Sequence, residues 1–275
     1  MKKQLLLVAG LCLYLCGFSQ VDSTGKNNHE NGDTIQIGSM TIIKKGDSES
    51  GDRNETHVHK RRHYEPSNIS TNWVIIDLGF ANYNDQTNYK SPEAQQFAPG
   101  GTKDWFSLRT GKSVNVNIWL FMQRLNIIEH IVNLKYGFGI ELNNYRYTTN
   151  IKYLSNPTRV IMDTVNYSKN KLAADYVTIP VMLNFNFTPH RRNDFGLSVG
   201  ASFGYLYNGR QKLVSNQFGK QKFHNSFDLN PWKISWIAEI QLGPIKLYGS
   251  YATQSMFGRG LNQIPYNAGI RLSNW

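Results

Sequence analysis

Three sets of side chains in this sequence have the chemistry to do work. His57, His59 and His63 form an H-x-H-x-x-x-H cluster, and imidazoles at such spacing suit zinc or copper. Lys60, Arg61 and Arg62 interleave with them and no carboxylate sits in the cluster. Adjacent cations repel a bound metal, so the stretch reads as a solvated basic segment able to meet anionic lipid headgroups. Ser226, His224 and Asp228 lie close together and supply the nucleophile, base and orienting acid that a lipid-modifying hydrolase would need. The third set is Asp77, Glu141 and Glu239 against Lys135, Lys233, Lys246 and Arg271. Its meaning depends on which faces these residues share.

The elements that position them are strands. From Val132 to Leu142 the apolar residues fall at every second place (Val132, Leu134, Tyr136, Phe138, Ile140, Leu142), with Asn133, Lys135, Gly137, Gly139 and Glu141 between them. Period two over that length predicts a strand, since a helix would space its apolar residues three and four apart. The pattern recurs over 74–80, 114–120, 177–187, 195–207, 232–240, 245–251 and 266–272, giving eight strands, enough to close a barrel. The links alternate as well. Those at about 84–104, 146–169 and 208–230 are long; those near Asn126, at Thr188–Asn193 and at Gly243-Pro244 are short; 254–264 is intermediate. Long links on one side and short turns on the other are the pattern of outer-membrane barrels.

The 275 residues carry a net charge of +11, with 18% charged and 13% aromatic residues. That composition excludes a disordered chain. No apolar run of the roughly 18 residues needed for a membrane helix follows residue 20. Residues 1–19 read as a secretory signal peptide, with Lys2 and Lys3, an apolar run Leu5–Leu15, and Gly17 and Ser19 before the cut. Cys12 and Cys16 leave with it, which excludes disulfides and cysteine chemistry, and the charge falls by two to +9. Residues 20–71 read as a flexible polar periplasmic arm, with two short strands in Thr34–Ile43 around a Gly-Ser turn. Residues 72–275 are the expected transmembrane β-barrel.

A secreted soluble barrel with an apolar interior shares the same periodicity. The membrane reading is preferred because the polar face is rich in Gly and Asn and poor in charge, and because soluble barrels lack the long/short alternation of links. Aromatics near strand ends (Trp73, Tyr83, Trp105, Tyr145, Tyr147, Tyr176, Phe187, Tyr207, Trp232) are expected to form interfacial girdles. The terminal aromatic Trp275 is expected to serve as an assembly signal for the outer-membrane machinery, although it is out of phase with Ile270 and Leu272.

The stretches Ile76–Tyr83, Leu134–Tyr145, Ile179–Phe185, Phe227–Pro231 and Ala268–Leu272, with Asp33–Gly38 and Ile42–Gly46 in the arm, resemble the PorT-like outer-membrane β-barrel proteins of Bacteroidota. The resemblance covers most of the chain after residue 20. It implies the fold and the outer-membrane location, and it carries no functional residues across.

In an eight-stranded barrel the interior is just wide enough for side chains. The seven residues Asp77, Lys135, Glu141, Lys233, Glu239, Lys246 and Arg271 are therefore expected to face the lumen as a charge network that plugs it. The motifs of serine hydrolases, zinc proteases and phosphate loops do not occur, so neither an enzyme nor a cofactor is expected. Nucleic acid is a poor explanation for the positive charge, which lies in the arm and in one outer link containing Arg210, Lys212, Lys220 and Lys222. That link would face anionic lipopolysaccharide. The expectation is a structural or adaptor protein of an envelope or secretion assembly, whose arm pairs through Ile35–Ile43 with a periplasmic or secretion-system partner. The alternatives are a narrow small-solute pore and a lipid-modifying enzyme.

Overall fold

The computed structural model describes residues 34–37, 40–43, 66–189, 195–243 and 245–273. The signal segment, the histidine cluster at 57–63, His29, His190 and Trp275 lie outside the described residues. The chain divides into two units, residues 1–60 and 61–275. In the first, β1 (Thr34–Ile37) pairs antiparallel with β2 (Met40–Ile43), Thr34 opposite Ile43 and Ile37 opposite Met40.

The second unit is a closed antiparallel barrel. Its staves are β3 (Ile69–Asp85), β4 (Val114–Ile128), β5 (Val132–Tyr147), β8 (Tyr167–Asn186), β9 (Phe195–Ser215), β11 (Trp232–Leu242), β12 (Ile245–Ala252) and β13 (Gln263–Leu272). Each pairs with the next, and β13 returns to β3 with Gln263 opposite Asp85 and Arg271 opposite Asp77. Closure leaves no unpaired edge along the wall, the condition for a sheet to sit in lipid. Two hairpins complete the long links: β6 (Ile151–Ser155) with β7 (Thr158–Met162), and β10 (Gly219–His224) with the outer half of β9. The link after β3 carries a short helix, α1 (Pro92–Phe97), capped by Ser91, whose hydroxyl accepts from the Ala94 amide at 3.3 Å.

The direction of the side chains decides between the two barrel readings. Leu78, Phe80, Leu183, Phe203, Ile234, Trp236, Ile240 and Leu272 are exposed on the outer wall, while Asp77, Asn115, Asn143, Ser198, Glu239 and Lys246 are buried inside. A soluble protein does not present a continuous apolar band of this extent to water; a barrel in lipid requires it.

The alternation is not unbroken. Val74 has φ 54° and stands out of the pairing, and the β4–β5 register shifts between Trp119 and Phe121. These bulges flip the phase of both strands, so Trp73 and Val74 both point outward while Trp119 and Met122 both point inward. The expected aromatic girdle is corrected in part. Trp73, Phe187, Tyr207 and Trp232 are exposed on the outer wall, but Tyr83, Tyr145, Tyr147 and Tyr176 are buried within the barrel mouth. They occupy the same strand faces as the lumen residues, which points them inward.

The long links are also not the loose polar loops that their composition suggests. Phe97, Phe106, Tyr153, Phe227, Leu229, Phe257 and Leu261 from four different links pack with these tyrosines into one buried core over the mouth. Tyr153 stacks on Phe257 at 6.1 Å, Phe97 meets Phe257 edge-on at 5.6 Å, and the Tyr147 and Tyr153 hydroxyls are 2.8 Å apart.

At the seam, Gly79 lies opposite Gly269. A Cβ on Gly269 would come within 2.2 Å of the Leu78 carbonyl oxygen, and one on Gly79 within 2.5 Å of the Tyr248 hydroxyl. The two walls close only because both positions lack a side chain. Purified protein should run faster on SDS gels unboiled than boiled. Gly269→Val should cost about 1–3 kcal/mol through overpacking, read as a lower temperature for converting the compact band to the slow one.

Candidate functional site

The lumen is built from alternate residues of every stave, and its ion pairs join staves from one to three strands apart. Arg271 on β13 faces Asp77 on β3 directly across the seam, and its Nε and Nη2 donate to the two Asp77 oxygens at 2.7 and 2.8 Å. Its Nη1 donates to Glu239 on β11. The other Glu239 oxygen accepts from Lys135 on β5 at 2.6 Å, a contact that crosses the barrel. One chain of alternating charge, Asp77–Arg271–Glu239–Lys135, therefore ties four staves together. Nearer the long-link end Lys233 on β11 pairs with Glu141 on β5, again across the lumen. Lys246 is buried beside them, with its amine donating to the Ser273 hydroxyl at 2.5 Å. All seven of the expected lumen residues thus line the interior and all are buried.

Neutral groups complete the network. Trp119 and Asn117 donate to Asp77 at 2.8 and 3.1 Å. Asn143 and Asn267 donate to Glu141, both at 3.0 Å, and the Tyr248 hydroxyl donates to Asn115 at 2.5 Å. Closer to the short turns, Asn184 joins Asn133, Ser198 and Gln241 at 3.0 to 3.2 Å. The asparagines are readable as the polar phase of their strands; Trp119 shares that phase with Asn115 and Asn117, but its apolar ring does not mark it as a lumen hydrogen-bond donor. Burying seven charges costs more than their mutual attraction returns unless the remaining lone pairs and protons are also bonded, and these amides do that bonding.

Among the described residues the space left at the level of the salt bridges is small. A cavity of about 30 Å³ lies between Trp119, Glu141, Met182, Glu239, Tyr248 and Arg271, on the order of one or two waters. Above it the aromatic core covers the mouth. At that end the Tyr89 phenol is pushed far above its ordinary value by burial and by its hydrogen bond to Asp85, 2.6 Å long.

His224, Ser226 and Asp228 are not brought together as a relay. The Asp228 carboxylate binds the Arg259 guanidinium at 2.5 Å, Ser226 donates to Asn225 at 3.3 Å, and His224 lies 3.3 Å from Asn208. They sit on a segment hydrogen-bonded to β9 and to the mouth, the Asn225 amide donating to the Gly209 carbonyl and the Gly258 amide to the Asp228 carbonyl. His130 is a turn residue with φ 58°, its amide held by Asn126 at 2.7 Å. Among the described residues no group of three His, Cys, Asp or Glu side chains is placed to hold a metal ion.

Arg271→Gln should leave Asp77 and Glu239 buried without their shared guanidinium and cost about 3–5 kcal/mol. The unfolding midpoint in detergent measures this. Adding Asp77→Asn should recover part of the loss in a double-mutant cycle.

A family described as "Outer membrane protein beta-barrel domain" matches residues 75–263. No curated protein matches the chain. A solved structure described as "Asymmetric conductivity of engineered proteins" is 8% identical, the alignment covering 74% of this chain and 99% of the other, with a TM-score of 0.17.

Proposed function

Because the chain belongs to the outer membrane protein β-barrel domain family, we propose that it is a sealed, non-enzymatic barrel of the outer membrane, PorT-like in kind, with a structural or adaptor role in an envelope or secretion assembly. The observation that carries this reading is the filled lumen. Salt bridges cross it at two levels, Lys135–Glu239 and Lys233–Glu141, and the space left between them is about 30 Å³. A channel needs a continuous water path, and a catalytic lumen needs room for a substrate. Among the described residues the salt-bridged level of the lumen has little room for either, which favours the two rims and the N-terminal arm as the surfaces for work. Purified protein in planar bilayers should show no stable single-channel steps, and a reproducible conductance would overturn the sealed-barrel reading in favour of a small-solute pore.

The adaptor part rests on β1 and β2. They form a two-stranded sheet rich in Ile and Thr, and such a ribbon offers backbone edges to a partner strand. The export signal at 1–19 would deliver the chain to the periplasm, and the short-turn end would face that side. Deleting residues 21–65 should spare membrane insertion, seen as retained heat-modifiable mobility. The same deletion should abolish recovery of envelope proteins in a cross-linked pull-down; unchanged recovery would remove the arm from the argument.

A further inference from the structure

The outer wall beyond the aromatic border carries cations stacked in register. Strand pairing sets Arg146 opposite Lys171, Lys171 opposite Lys212, and Lys212 opposite Lys222. One transverse row over β5, β8, β9 and β10 is therefore cationic from end to end. In the next row outward Lys169 and Lys220 flank Val214, and in the row inward Arg210 lies opposite His224.

These side chains face outward. Their strand neighbours Leu172, Gln211 and Leu213 are buried, while Lys222 is exposed and Lys171 and Lys212 are half-buried. On β9 this depends on the register shift against Asp175 and Tyr176, which leaves Tyr207 unpaired. Without that bulge the alternation from Phe195 to Tyr207 would turn Arg210 and Lys212 toward the interior.

Like charges directly opposite one another destabilise a sheet, and little nearby offsets them. Among the described residues the ion pair in this patch is Arg210 with Asp175 at 3.5 Å. Lys171 donates to the Asn144 side chain at 2.6 Å and Arg146 to the Ser168 carbonyl at 3.0 Å, both neutral acceptors that position the cations without neutralising them. Desolvation and the nearby Lys169, Arg210 and Lys212 hold the Lys171 amine down at about 8, and Lys169 lowers that of Lys212. The patch lies just beyond Tyr207, Tyr205 and Trp232, the last two edge-on at 4.9 Å, a border that marks the headgroup level of a membrane barrel.

We propose that the row Arg146–Lys171–Lys212–Lys222 is a docking site for the phosphorylated sugar headgroup of an outer-leaflet glycolipid, lipopolysaccharide. This rests on the outer-membrane reading and adds a ligand to it. Four cations at the strand spacing of about 4.8 Å span about 14 Å, enough to engage phosphates on neighbouring sugars together, which a single free phosphate does not require. The aromatic border below places that headgroup level with the cations while its acyl chains lie along the apolar wall.

The test uses the full-length protein in detergent, titrated with lipopolysaccharide, with the same material after chemical removal of its phosphates, and with inorganic phosphate. Thermal midpoint and bound lipid are both read. Intact lipopolysaccharide should raise the midpoint and the dephosphorylated form should not. Lys171→Gln with Lys212→Gln should weaken binding by about tenfold or more, the loss of two charge-assisted contacts. Without ligand, that variant should be as stable as the parent or more so, because repulsion is relieved. Lys90→Gln with Lys112→Gln, on the link after β3, should bind as the parent does. Equal binding of intact and dephosphorylated glycolipid, unchanged binding by the Lys171/Lys212 variant, or stabilisation by millimolar phosphate as large as by lipopolysaccharide would each overturn the proposal. Retained heat-modifiable mobility alongside such a failure would show that the barrel reading survives it.

Discussion

The barrel closes where its first and last staves meet, and at that seam Arg271 faces Asp77. Everything else in the structure depends on this closure. An open sheet in lipid would leave a row of amides and carbonyls unbonded, each costing several kcal/mol. The seam brings the staves together with a glycine pair that removes steric mass and a bidentate ion pair that adds directed attraction. The guanidinium then extends the constraint inward through Glu239 to Lys135, so that closing the seam and filling the interior are parts of one arrangement.

The inverted distribution of polarity follows from the same constraint. The apolar residues are committed to the lipid, so the interior is left with amides, hydroxyls and charges, and those must satisfy one another in a space with almost no water. Glu141 illustrates the outcome. It accepts from Lys233, Asn143 and Asn267, and removing any one donor leaves the carboxylate less well bonded. Toward the long-link end the filling changes from charge to aromatic rings, and Tyr145, Tyr147 and Tyr176 mark the change.

The sequence made some of this legible and hid the rest for physical reasons. Period two over Val132–Leu142 and its seven counterparts was sufficient for the eight staves, and the phase of Lys135, Glu141, Glu239 and Arg271 was sufficient for their common face. What the pattern could not carry was any event that breaks it. Bulges at Val74, beyond Trp119 and at Tyr207 reverse the facing of every residue beyond them, and nothing in the local residue types announces them. The core over the mouth was hidden differently. Phe97, Tyr153, Phe227 and Phe257 come from four separate links with no period, so their association exists only in three dimensions. Tyr145 and Tyr147 were misassigned to a girdle because aromatic character near a strand end says nothing about direction. The ion-pair partners too were beyond reach, since Lys135 and Glu239 are 104 residues apart.

The outer halves of β8 and β9 have one more consequence. These staves are 20 and 21 residues long, and at the usual rise and tilt each spans about 50 Å, roughly twice the thickness of the apolar band. On the orientation proposed above, what stands outside the cell is therefore continuous hydrogen-bonded wall, buttressed by β10, and little of it is slack chain. Surface proteases cut where backbone can be drawn into their clefts, and a paired stave resists that. Antibodies raised against intact cells would accordingly recognise shape assembled from several strands, and that recognition would vanish when the antigen is boiled.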